Sequence, residues 1–590
     1  MNALADGIAA LLDPTVAVCF VVGLLVGTLV GFFPGITGSM AVALASGFTL
    51  TLEPVQGLAV LLTIYVGANY GDRIPSILVN TPGTPAAIAT TFDGYPMARQ
   101  GKAGLALVSS SIVTTGGILL SMVLFVVAAR PVAQLALEFG PAEMFALVVF
   151  GLAIMVSVSG KSVVKGLIAG VAGLVLATVG RDPITGDARF VFGVNDLNSG
   201  LPFIAVIIGL FGIAELFDQL LTHRPHTVKP ISSLGRWWPT RGEYRQMARP
   251  FGVSSVIGMI VGAVPAAGGD IAGLIGWDRA KRMSKEPDRF GKGSLEGLTA
   301  ADTASSATLG GSLTTTMALG IPGDAVMAVM IGSMIIWGVQ PGPSLFTREP
   351  ELMVSIAGIM VMAALVSLAI SLVRTRGIVR LLDLPNHYLW GGILVCCIVG
   401  TYTTTNNIYT VWVMLVSGVV GVVMKRCGFP PGPVVLGLLL GPLAESNLRR
   451  ALLIDGPAGL VTQPIAAGLL VLALVALAGP LVARARAART ERRGAMTAPV
   501  HRRWVAVDHP SWRQAHASTV LAVGGDLLAA WFAGEREGSP DTRIWCARRP
   551  QGRRAGRHRW SSPPAMRRTG TRCSPPGRTA PCGCSSSAAR

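Results

Sequence analysis

Long intervals without one charged side chain constrain this chain more than any other feature. Gly104–Ala129, Leu352–Val373 and Leu460–Ala483 contain no Asp, Glu, Lys or Arg. Roughly 20 helical residues cross a hydrocarbon core. A helix satisfies its own backbone groups, so lipid can surround it. Met144–Ser159, Gly166–Gly180 and Leu201–Ala214 read as further spans. Only 14% of the 590 residues are charged, against about 25% in soluble domains. The 72 glycines suit closely packed membrane helices. The expected fold class is therefore an all-α polytopic membrane protein.

The net charge of +18 would suggest nucleic acid in a soluble protein. In a membrane protein it reads instead as retention of Lys and Arg in cytoplasmic loops. Four clusters are expected there: Arg99 and Lys102; Arg224 to Arg249; Arg279 to Lys292; and Arg374, Arg376 and Arg380. Four spans separate the first two clusters, an even number that returns the chain to the same side. Glu138, Glu143 and the loop Arg181–Gly200 then face outward. Arg484 to Arg493 place the end of the last span in the cytoplasm if Pro430–Ala444 crosses fully, which puts Arg449 and Arg450 outside. The first apolar stretch, near Pro14, has no basic segment before it and reads as a retained span rather than a cleaved signal. Cys19, Cys396, Cys397 and Cys427 read as small apolar residues in or beside spans. No disulfide framework or metal site is expected.

The two halves resemble each other. Gly27-Thr28-Leu29-Val30-Gly31-Phe32-Phe33-Pro34 matches Gly258-Met259-Ile260-Val261-Gly262-Ala263-Val264-Pro265, 231 residues on. Gly38 matches Gly269 at the same spacing. Gly71 matches Gly311, and Thr81-Pro82-Gly83 matches Ile321-Pro322-Gly323, 240 residues on. Basic Arg99 and Lys102 follow the first Pro-Gly, whereas Ser333–Thr347 after the second has no Lys or Arg. Opposite charge flanks predict opposite orientations, hence an inverted-repeat secondary transporter with broken or re-entrant helices. Repeat 1 spans about 14–215 and repeat 2 about 250–485, within a membrane domain at 10–485. Gly and Pro can also simply kink or pack membrane helices. Breaks matched in pairs and flanked by Asn, Ser, Thr and Asp favour a site, because exposed backbone groups at membrane depth are tolerated only when buried or lining a cavity. Helix N-termini at such breaks suit carboxylates. Composition and repeat alone reach a carrier with a midplane site for an anion.

Tyr65-Val66-Gly67-Ala68-Asn69-Tyr70-Gly71, Ser76-Ile77-Leu78-Val79-Asn80-Thr81-Pro82-Gly83 and Asp93-Gly94-Tyr95-Pro96-Met97-Ala98-Arg99-Gln100-Gly101-Lys102-Ala103-Gly104 resemble the large membrane subunit (TctA type) of the tripartite tricarboxylate transporters. Leu319-Gly320-Ile321-Pro322-Gly323 and Gly338-Val339-Gln340-Pro341-Gly342-Pro343 extend the resemblance, which runs from about residue 10 to about 485. It implies a secondary carrier in the bacterial inner membrane, taking up citrate or related carboxylates on an ion gradient. It also implies two partners, a small membrane subunit (TctB type) and a periplasmic solute-binding protein (TctC type). Two departures stand out. Asp302-Thr303-Ala304-Ser305-Ser306 replaces the family's Glu-Ala-Ala followed by paired asparagines, and Asp72-Arg73 replaces small residues. Both leave the class intact and put substrate identity in doubt.

The candidate substrate site comprises Asn80, Thr81, Pro82 and Gly83; Pro322 and Gly323; Pro34, Gly35, Thr37 and Gly38; Pro265, Gly268 and Gly269; Arg73, whose fork matches a carboxylate; and Ser305 and Ser306. Asp72, Asp302 and Asp324 are candidates for the coupling ion, proton or sodium. The alternative places Asp72 and Arg73 in a loop at the membrane edge, and Asp302 and Asp324 in loops or caps. No cofactor is expected. No H-E-x-x-H, G-x-S-x-G or nucleotide loop occurs, so an enzyme is not expected. A membrane-embedded enzyme or a scaffold without transport activity is the alternative function. Residues 495–590, rich in Arg, Pro, Ser and Gly, are expected to be disordered. Leu521–Leu527 resembles the leucyl/phenylalanyl-tRNA–protein transferases, over too few residues to carry function. A reading-frame error or a fusion that joined downstream sequence would account for the change of character.

Overall fold

The computed structural model describes residues 9, 11–33, 36–158, 162–182, 185–221, 235–265, 268–378, 386–454, 456–479, 514–523, 526–534 and 543–549. The chain divides into two compact units, Met1–Ala487 and Ala488–Arg590.

The first unit is helical. Its first half opens with α1 (Pro14–Phe32), started by Asp13, whose side chain accepts from the Thr15 N–H at 2.7 Å. After a break comes α2 (Gly38–Thr49), capped by Thr37. Then follow α3 (Pro54–Gly71) and its near-continuation α4 (Arg73–Leu78). A second break, Val79–Thr84, leads through a 3-10 turn at Pro85–Ala87 into α5 (Ile88–Met97). A π turn at Ala98–Lys102 joins it to α6 (Ala103–Leu137). α7 (Pro141–Val158) and α8 (Val163–Ala177) follow. A hairpin of β1 (Gly180–Arg181) and β2 (Ala188–Arg189) precedes α9 (Phe203–Ile207), a π turn and α10 (Ala214–Leu221).

The second half repeats the order. It has α11 (Arg241–Ala263), a break, α12 (Gly268–Met283), α13 (Leu295–Leu319), a break and α14 (Ala325–Ile336). α15 (Leu345–Arg348), α16 (Pro350–Ile378), α17 (Asn386–Thr405), α18 (Ile408–Cys427), α19 (Gly432–Ile454) and α20 (Gly456–Thr462) complete it.

Among the described residues, four helical spans are long and apolar enough to cross a membrane: Pro14–Phe32, Pro85–Leu137, Pro350–Leu372 and Ile408–Cys427. Their outer faces expose Val18, Val22, Leu25, Val123, Val127, Val416 and Val423. Water would not accept such a surface, and lipid does. The chain is thus a multi-pass membrane protein. α2 and α14 have 12 residues each, about 18 Å of helix, too short to cross alone. Both directly follow a predicted break. Within Leu460–Ala483, expected as one uninterrupted span, the described residues belong to two helices, Gly456–Thr462 and Pro464–Gly479, bent by 75°. Proline has no N–H for the helix ladder and clashes with the preceding turn. Leu201–Ala214 is likewise not one regular helix, since its second part is a π turn.

The repeat is visible atom by atom. A Cβ on Gly31 would strike the Ala68 backbone, and one on Gly262 would strike Thr308. On Gly71 it would meet Thr28 O, Phe32 N and Gly31 C; on Gly311, Met259 O, Ala263 N and Gly262 C. These are the same atoms at offsets of 231 and 240 residues. Lipid provides no hydrophobic force between helices, so close backbone approach at such small residues is what holds them. α1 on α3 and α11 on α13 are therefore equivalent pairs.

In the second unit, β3 (Gln514–Val523), β4 (Asp526–Gly534) and β5 (Arg543–Arg549) form an antiparallel sheet in the order β3-β4-β5. This part of the tail was expected to be disordered. β3 and β4 fall on its most apolar stretches, around Val520-Leu521 and Leu527-Leu528, which suit extended pairing better than the flanking Arg- and Pro-rich segments. The rest of the expected disordered segment lies outside the described residues.

Candidate functional site

The two breaks carry the same device in both halves. Gly83 packs against Gly31 and Asp72, and Gly323 packs against Ser312, which stands where Asp72 stands in the first half. Across the first break, Thr84 Oγ1 donates to Asp72 Oδ2 at 2.5 Å. Across the second, the Ser312 hydroxyl lies near the Asp324 carboxylate, while its Oγ donates to the Gly262 carbonyl at 3.3 Å. Position 84 corresponds to 324 and position 72 to 312. The carboxylate and the hydroxyl have changed places, and each break sets one acid near one hydroxyl. Asn80 takes φ 57° at the first break, a left-handed conformation that Asn adopts readily.

Both devices reach into the opposite half. Tyr65 of α3 donates to Asp324 Oδ2 at 2.5 Å. Asp324 also caps α14, accepting from the Met327 N–H at 2.9 Å. Arg73 on α4 is 3% exposed and Asp72 is 0% exposed, so neither lies in a loop at the membrane edge. Arg73 Nη1 contacts Asp72 Oδ1 at 3.0 Å. Its Nη2 donates to Asn69 Oδ1 at 2.7 Å, Ser305 Oγ at 2.8 Å and Ser306 Oγ at 3.1 Å. Its Nε faces Asp302 Oδ1 at 3.5 Å. Asp302 is also 0% exposed. It lies inside α13, neither in a loop nor at a cap, and receives the hydroxyls of Thr90 and Ser110. The guanidinium is thus spent on protein acceptors from both halves. The two places where the sequence departs from the family pattern, Asp72-Arg73 and Asp302 with Ser305 and Ser306, touch each other.

The remaining predicted positions divide. Gly269 lies against Ser305 of α13 and Ala86 of the turn after the first break, so it stands at the seam between halves. Gly268 has φ 63° and holds Asp270 close. Thr37 caps α2 by accepting from the Met40 N–H at 3.2 Å. Gly38 meets only the Ala68 methyl, at 3.4 Å. Pro265 and Pro322 are buried, while Thr81 and Pro82 are half-buried. Pro34 and Gly35 lie outside the described residues. Gly83 and Gly323 each pack within their own half, and Arg73 and Tyr65 reach from beside these breaks into the other half.

Sequence reasoning did not single out Tyr65, Asn69, Thr84, Thr90 and Ser110. Tyr65 and Asn69 lie inside a family motif, and Thr84 directly follows the Pro-Gly, so a signal existed for those three. Thr90 and Ser110 look like any hydroxyl in an apolar helix. Asp93 was also quoted only as motif. It is buried, its Oδ1 accepting from the N–H groups of Gly291, Gly293 and Ser294 at 2.9, 3.0 and 2.7 Å, and its Oδ2 from Trp277 Nε1 at 2.7 Å. It ties α5 to the start of α13.

Lys102 of the first basic cluster and Arg289 of the third line one cavity of about 150 Å³, together with the acidic Glu243 and Glu286. The loop expected to face outward is held to α19 by a ring of charges. Arg189 pairs with Asp182 and with Glu445, the latter at 2.8 Å. Arg449 pairs with Asp182 at 3.0 Å and Glu445 at 2.7 Å. Arg449 therefore shares a face with that loop, as the charge pattern requires. Among the described residues no group of three or more His, Cys, Asp or Glu could hold a metal ion.

Comparison with known proteins agrees with this organisation. Residues 17–436 match the model of the tripartite tricarboxylate transporter TctA family. An uncharacterized 52.8 kDa protein in the TAR-I ttuC' 3' region of Agrobacterium vitis is 36% identical over 484 residues, 81% of this chain and 96% of that protein. An uncharacterized protein in the TAR-II ttuC' 3' region of the same organism is 36% identical over 236 residues, 40% of this chain and 98% of that protein. No solved structure matches the chain.

Proposed function

The chain belongs to the tripartite tricarboxylate transporter TctA family, a family of transporters and not of enzymes, and from that premise we propose that it takes up citrate-like tricarboxylates or related carboxylates, driven by an ion gradient. One observation carries the reading: two matched helix breaks, each setting an acid near a hydroxyl, are joined across the halves by buried polar side chains. Buried ionisable groups at membrane depth are costly and default to transport roles. Asn80, Thr81, Pro82 and Gly83, with Pro322 and Gly323, form the substrate walls, as paired helix breaks do in inverted-repeat carriers. Gly269, Ser305 and Ser306 lie at the seam between them. Arg73 meets the substrate only after giving up protein acceptors. Asp72, Asp302 and Asp324 serve the coupling ion, proton or sodium.

The halves are inverted in the membrane, and the basic clusters face the cytoplasm of a bacterial inner membrane. Lys102 of the first cluster and Arg289 of the third line one cavity, which supports a common side for those two. The family implies a tripartite system. The partners are a small membrane subunit of TctB type and a periplasmic solute-binding protein of TctC type. Cells lacking their own citrate uptake, given all three components, should accumulate labelled citrate or another carboxylate from a small panel. Cells given only the two partners should not. Equal accumulation in both would sink the proposal.

A further inference from the structure

Resting on the carrier reading, we propose that the coupling ion is a proton and that it sits on Asp302, beside Arg73. The geometry is that of a guanidinium between one ionised and one neutral carboxyl group. An Arg between two carboxylates is expected to fork onto both at hydrogen-bond distance. Here it makes one tight ionic contact, with Asp72 at 3.0 Å. Its Nη2 turns to three neutral oxygens, those of Asn69, Ser305 and Ser306. Its Nε stops 3.5 Å from Asp302 and has no hydrogen-bond partner, although buried. Both oxygens of Asp302 are engaged instead by the hydroxyls of Thr90 and Ser110. Hydroxyls can donate or accept, so they serve a carboxylic acid as well as a carboxylate.

The charge count agrees. Asp72, Asp302 and Arg73 are 0, 0 and 3% exposed. Two carboxylates against one guanidinium would leave an uncompensated buried charge, which proteins avoid. A proton supplies the missing charge and needs no added room. Among the described residues, no charged group on the surrounding helices other than Arg73 pairs with Asp302. Asp93 on α5 is held by Trp277 and the backbone of Gly291 to Ser294. Asp270 on α12 lies beside Gly268 at the start of its own helix. Tyr70 on α3 bonds Thr115 of α6 at 2.6 Å and the Ala364 carbonyl at 3.0 Å. α11 turns Ser254, Gly258 and Gly262 toward α12 and α13. Ser109 and Thr114 of α6 and Thr299 and Thr303 of α13 are buried hydroxyls without a partner on the two helices that enclose Asp302. They offer the proton a polar seam.

Loss of the proton would give Asp302 a full charge facing Nε and pull Arg73 from Ser305 and Ser306. The proton's movement would thereby alter the contact between halves. Infrared spectroscopy of the full chain in lipid nanodiscs at neutral pH tests this without any substrate. The wild type should show the carbonyl stretch of a protonated carboxyl. Asp302→Asn should lose it, Asp302→Glu should shift it, and Asp72→Asn should keep it. Absence of the band in the wild type, or its loss in Asp72→Asn alone, would overturn the proposal. So would a band unchanged in Asp302→Glu, the variant that decides if Asp302→Asn does not fold. Failure of carboxylate uptake with the band behaving as expected would strike the substrate reading and leave the proton site standing.

Discussion

Tyr65 and Asp324 lie 259 residues apart and meet through one hydrogen bond of 2.5 Å. Tyr65→Phe deletes that donor and leaves a carboxylate in the membrane domain one partner short. The expected loss is about 1–3 kcal/mol of stability, read as a lower thermal-unfolding midpoint in detergent; an unchanged midpoint would show that the bond carries no weight. Gly83 and Gly323 pack on Asp72 and Ser312 with no room for a side chain. Gly83→Val or Gly323→Val should push the acid–hydroxyl pairs apart, abolishing transport while membrane insertion survives. Conservative changes at exposed Asn195 or Asp187 of the loop Arg181–Gly200 should matter much less. Normal transport by both Val variants would remove the breaks from the site. The paired glycines and the charged residues were legible in the sequence because each is unusual at membrane depth. What joins them was not legible. Thr90 and Ser110 acquire meaning only when α5 and α6 fold over α13, and the sharing of Arg73 among five groups depends on distances that no spacing encodes.

Helix breaks belong to the next scale. Matched Gly and Pro residues marked where α1, α3–α4, α11 and α13 end, because both residue types interrupt a helix for stated physical reasons. The bend at Pro464 escaped the same reasoning, since a lone proline in an apolar run equally often kinks a crossing helix. The π turn at Ile208–Ile213 left no mark in composition at all. Close approach of α1 to α3 and of α11 to α13 uses the same glycine positions in both halves. Gly31→Leu and Gly262→Leu should therefore each destabilise the protein, by about 1–3 kcal/mol or more from overpacking. Thermal unfolding of the purified protein checks both, and a large effect in one half with none in the other would contradict their equivalence.

For the whole molecule, the multi-pass helical character followed from the uncharged runs, and the family from long motifs that persist over residues 17–436. In the tail, the short apolar stretches inside an Arg- and Pro-rich segment gave little warning of the β pairing at Gln514–Val523 and Asp526–Gly534. Deleting residues 495–590 should leave insertion and transport intact; loss of transport by a truncated protein that inserts normally would give the tail a role. The most direct measurement is uptake of labelled citrate and a panel of related carboxylates into proteoliposomes. These would hold the chain with its small membrane subunit and solute-binding protein, with and without an imposed proton gradient. Accumulation of at least one carboxylate that requires both the chain and the gradient is the expected result. Assembled complexes that move no carboxylate, or move it equally without the chain, would contradict it.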